Sequence, residues 1–175
     1  LPGTTFPDEV IVLRAHLDSK SEVSWVSAPG ADDNATGSAA LLEAARLLRT
    51  VRFKRTIRLI WFSGEEQGMK GSYAYVNDPA VDTSRILGVI NLDMFGYDSN
   101  NDRCFELHVG TLEASQTVGQ CITHSIAEYG LGLSYDYLTD DATEQSDHAA
   151  FWSKDVGAVE VLDRALLGLA EGQLR

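Results

Sequence analysis

The stretch Thr56-Ile57-Arg58-Leu59-Ile60-Trp61-Phe62, followed by Ser63-Gly64-Glu65-Glu66, decides how this chain reads. A short apolar run rich in branched and aromatic residues predicts a buried strand, and the Ser-Gly step predicts its end. Two adjacent carboxylates at that end repel each other. A fold that accepts both usually gives each a role. One holds a cation, and the other moves a proton on a water bound to that cation. Acids complementing the first turn of a following helix are the plainer reading. The strongly apolar strand before them weighs against it.

The same pattern recurs on both sides of this stretch. Residues 9–15 (EVIVLRA) predict a strand ending at His16, and residues 86–92 one ending at Asp93. Further strands are expected at 105–109 and 158–162. Helical spacing of apolar residues predicts helices over 35–49, 67–76, 112–129 and 146–152. Residues 19–33 form a long loop containing Ser, Gly and Pro, and a loop of that length suggests function. Strands alternating with helices predict an α/β sandwich with a largely parallel sheet. Ligands in such sheets bind beyond the carboxyl ends of the strands, where His16, Glu65, Glu66 and Asp93 all fall.

A chain of 175 residues fits one domain, 1–175, with a single core. Its 26 acids against 14 bases give a net charge of −12, which argues against nucleic acid or an anionic membrane as partner. No apolar run approaches the roughly 20 residues of a membrane span. Leu1 is not an initiator Met, which leaves room for a removed leader. Cys104 and Cys121 lack metal-site spacing and read as buried free thiols, with a disulfide as the alternative.

Four polar clusters could carry chemistry. His16 and Asp18 share a face of extended chain, so the Asp18 carboxylate could accept the N–H of a metal-bound imidazole; a strand-end His beside a capping Asp is the alternative. Asp32-Asp33-Asn34 are ordinary helix caps or, after a Gly/Pro-rich approach, a bridge between two cations. Asp93 follows an apolar strand, where an unpaired acid is costly. Asp147-His148 reads equally well as a surface helix cap. His108 and His124 have no acidic company and read as structural. Together the clusters supply the nitrogen and oxygen ligands that suit zinc.

These motifs also carry a family resemblance. AHLDS (15–19), APGADDNATG (28–37), GEEQGMKGS (64–72), NLDM (91–94) and SDHAAFW (146–152), in that order, resemble the co-catalytic zinc exopeptidases typified by bacterial leucyl aminopeptidases. The resemblance implies a three-layer α/β/α sandwich with a mostly parallel mixed sheet, the phosphorylase/hydrolase-like zinc exopeptidase core. It implies two zinc ions, with His16 and Asp93 on one, Asp33 bridging, and Glu66 on the other. Glu65 would be the general base and Asp18 the partner of His16. Met94 and Asp147 would line the substrate site, and the Asp33–Asn34 peptide is often cis in this family. The substrates implied are peptides with a free N-terminus, and the location secreted or periplasmic.

The family's second zinc also takes a His near the C-terminus, and this chain has none after His148. The chain therefore resembles a core fragment, or a protein diverged at its end, with the second zinc weak or absent. Residues 164–175 read as an amphipathic or disordered tail. A carboxypeptidase, a glutaminyl cyclase-like acyltransferase, and an inactive binding or scaffold module remain as alternatives.

Overall fold

The computed structural model describes residues 1–163 other than 22, 24, 25 and 99. The tail 164–175 lies outside the described residues. Among the described residues, six strands form one sheet in the order β2-β1-β3-β6-β4-β5. They are β1 (Phe6–His16), β2 (Arg55–Phe62), β3 (Ile86–Leu92), β4 (Cys104–His108), β5 (Ser134–Leu138) and β6 (Ala158–Asp163). All pairings are parallel except β4 with β6, so the sheet is mixed, as expected.

The strands alternate in face, and each face has its own cover. Val10, Val12, Val89 and Ala158 meet Val76 of α2 (Lys70–Asn77) and Phe151 of α4 (His148–Trp152). Ile90, Val159 and Val161 meet Val118 and Ile122 of α3 (Glu113–Glu128). α1 (Ala35–Leu48) covers the β1–β3 end of that second face, where the Asn34 side chain caps it by accepting from Gly37 N at 2.9 Å. Asn34 Nδ2 also donates to the Leu92 carbonyl at 2.9 Å, tying α1 to β3. The approach is so close that a Cβ on Gly37 would lie 2.4 Å from that carbonyl, which only glycine avoids.

Two elements differ from expectation. α2 begins at Lys70 rather than 67, because Gly64, Gly68 and Met69 take left-handed backbone (φ 77°, 92° and 56°) that cannot continue a helix. β5 carries no clear strand signal: Ser-Tyr-Asp-Tyr-Leu is an edge strand, half exposed and without a long apolar run. Cys104 and Cys121 are both free, and Cys121 is exposed rather than buried.

Candidate metal centre

Three strand ends and one loop deliver the site. His16 closes β1, Asp93 directly follows β3, Glu65 and Glu66 follow β2, and Asp33 precedes α1. His16 Nε2 lies 3.2 Å from Asp33 Oδ1 and 3.2 Å from Asp93 Oδ1. One ligand atom from each of the three falls within 4.8 Å of the others, the only such group among the described residues. The Asp33–Asn34 peptide is cis.

The electrostatics suit a cation. Burial pulls the His16 imidazole down, but hydrogen bonds to Asp33 and Asp93 more than compensate and push it up to about 10. His16 Nε2 and the two carboxylate oxygens are donors of the kind that a metal ion takes once the imidazole gives up its proton. Burial raises the Asp93 carboxyl, while His16, Ser146 and Arg14 bring it below its usual value. Ser146 Oγ donates to Asp93 Oδ2 at 2.7 Å, leaving Oδ1 toward His16.

Glu66 stands beside this group. Its Oε1 is buried without a hydrogen-bond partner. With Asp33, Lys20, Pro29 and Gly30 it lines a cavity of about 10 Å³, roughly one water or ion in size. An orphaned carboxylate oxygen on a residue that shares a cavity with a second carboxylate fits a cation as its missing partner. Burial, with Asp33 adding, raises the Glu66 carboxyl. Glu65 is pushed up to about 7, by burial first and by Asp93, Glu66 and Asp33 against the pull of His16.

Asp18 works differently from expectation. His16 Nδ1–H donates to the Asp18 backbone carbonyl at 3.0 Å, while the nearest carboxylate oxygen is 3.8 Å from that nitrogen. The carboxylate instead accepts the backbone N–H groups of Glu65 and Glu66, each at 3.2 Å. It holds the turn carrying the two acids.

Asp147 lies inside the fold. Its side chain is fully enclosed, paired with Arg14 at 2.7 Å and hydrogen-bonded by Ser72 Oγ. Met94, with φ 43°, is half-buried where the chain leaves β3, and its carbonyl accepts Asp163 N. His108 is structural but does have acidic company: Glu106 Oε2 lies 3.0 Å from its Nε2, and its Nδ1 accepts Thr143 N. Arg14 and Glu160, which no sequence motif marks, form with Asn91 a buried polar row beneath the site.

The chain is 34% identical over 148 residues to leupeptin-inactivating enzyme 1 of Streptomyces exfoliatus, spanning 83% of this chain and 30% of that protein. It is 32% identical over 144 residues to aminopeptidase YwaD of Bacillus subtilis, spanning 82% of this chain and again 30% of the relative. The chain thus covers about a third of the length of these curated relatives. Its fold superposes on a zinc aminopeptidase from Bacillus subtilis with a TM-score of 0.75 at 26% identity, covering 93% of this chain and 38% of that one. The LapA aminopeptidase of Legionella pneumophila gives 0.72 at 28% identity, covering 89% and 41%. The profile of peptidase family M28 matches residues 1–169, and the chain belongs to that family.

Proposed function

We propose that this chain is the zinc-binding core of an aminopeptidase that removes the N-terminal residue of peptides. The convergence of His16, Asp33 and Asp93 on one point, in a chain of this family, carries the reading. These three residues hold one zinc, and Asp33 with Glu66 faces a second. The first has about the three protein ligands that a hydrolytic zinc takes, whereas the second has only two from the described residues. The first therefore binds tightly and the second weakly.

Bound zinc supplies an acidified water and polarises the scissile carbonyl. The protein's own groups do the rest. Glu65, with a carboxyl near 7, is suited to accept the proton of the attacking water and return it to the leaving amine. Asp18 keeps Glu65 in place through its backbone amide. Glu66 offers its free oxygen toward a metal or the substrate's amino group. Met94, at the mouth of β3, is the residue proposed to meet the substrate's first side chain. No described helix is long and apolar enough to cross a membrane, and secretion or a periplasmic location is part of the proposal. Hydrolysis of leucyl amide that is slow at ordinary zinc, rises as the weak site fills and stops with a chelator tests this reading; a chain saturated at both sites and without such activity refutes it.

A further inference from the structure

Arg14 sits two residues before the end of β1, between Val12 and His16 on one face, and its side chain is fully buried. In the register it stands opposite Asn91, Asn91 opposite Glu160, and Glu160 opposite His108. A polar row thus crosses four strands, one pleat beneath His16 and Asp93. Arg14 Nη1 lies at ion-pair distance from Asp147 Oδ2, 2.7 Å, without the alignment of a hydrogen bond, and its guanidinium carbon lies 5.6 Å from the centre of the Phe62 ring. Asp147 in turn takes the hydroxyl of Ser72 in α2. Phe62 enters the Glu65-Glu66 turn and Ser72 lies just beyond it, so both flanks of that turn are fastened to β1 through one arginine.

A buried ion pair is a poor source of stability, since apolar residues of similar volume often serve as well. What it supplies is position. We propose, on the aminopeptidase reading, that Arg14 is a positioning residue of this site. Ion-paired with Asp147 and lying over Phe62, it fixes the turn bearing Glu65 and Glu66 against the strand bearing His16. The planar guanidinium can face the ring and meet the carboxylate at once; a lysine ammonium keeps the charge without that plane.

Amide hydrogen exchange of the metal-free chain tests this, because the Glu65 and Glu66 amides report where the turn sits. Removing Arg14 alone strands the Asp147 charge, so the decisive variant is Arg14→Met with Asp147→Asn. Exchange at Glu65 and Glu66 should accelerate at least about tenfold there, while Val12 and Val89 stay within about threefold of wild type. Arg14→Lys should give intermediate exchange, and the double variant should bind zinc more weakly. Unchanged exchange at the two glutamates, or equal acceleration throughout the sheet, overturns the proposal. Since the exchange is read without metal or substrate, a wild-type chain lacking peptidase activity refutes the aminopeptidase reading and leaves this outcome intact.

Discussion

Replacing Asp18 with alanine tests whether this side chain acts on the Glu65-Glu66 turn or on His16. The carboxylate accepts two backbone N–H groups at 3.2 Å with a side-chain exposure of 16%. Hydrogen bonds to charged groups contribute about 1.5–3 kcal/mol each, and the long distances favour the low end, so Asp18→Ala should cost about 3 kcal/mol. For a chain of this size that lowers Tm by roughly 6–12 °C. Loss of such support typically reduces activity by about 10–100-fold. Zinc affinity at His16 should change little, because the imidazole N–H is held by the backbone carbonyl of residue 18, which the substitution keeps. Asp18→Asn retains an uncharged acceptor and should lose about half as much stability. Thermal unfolding, zinc titration and leucyl amide hydrolysis read the three effects. A variant that keeps its Tm but loses the first zinc would show that the carboxylate serves His16 after all.

Further outcomes are expected. Glu65→Gln should keep fold and zinc but lower kcat by about 10²–10⁴-fold; full turnover would remove Glu65 from proton transfer. Glu160, buried opposite Asn91, is pushed up to about 7 by burial, against an ordinary 4.5. Its folded form holds the proton more tightly, so its contribution to stability is present below pH 4.5 and is lost as pH rises through about 7. Glu160→Gln should therefore match wild type near pH 4.5 and exceed it in Tm above pH 7, and equal Tm differences at every pH would contradict this. Phe151→Ala removes a fully buried ring packed against Phe62 and Tyr75 and should cost about 3–5 kcal/mol by denaturant unfolding.

Of the candidate metal group, His16 and Asp93 are legible because each stands at an abrupt change from apolar strand to polar residue, as do Glu65 and Glu66, a local feature that the parallel topology gathers at one sheet edge; Asp33 is legible from its Gly/Pro-rich approach to a helix start. The strands β1, β2 and β3 are legible for the same reason. What escapes depends on contacts between distant segments or on backbone detail. Arg14 looks like one charge in a strand until Asp147 meets it across the fold. Asp147 looks like an exposed cap until α4 turns it inward. The nearness of Asp18 to His16 follows from their spacing. Only the folded chain distinguishes the Asp18 carbonyl, which binds the imidazole, from its carboxylate, which binds the turn. The late start of α2 follows from left-handed residues, of which Met69 gives no sign in its side chain.

Zinc titration of the metal-free chain, in parallel with His16→Ala and Glu66→Ala, tests the central claim most directly. One tight zinc that His16→Ala abolishes is expected, with a second, weaker one that Glu66→Ala removes. Binding that saturates equally in wild type and His16→Ala, or no saturable zinc in wild type, would contradict it.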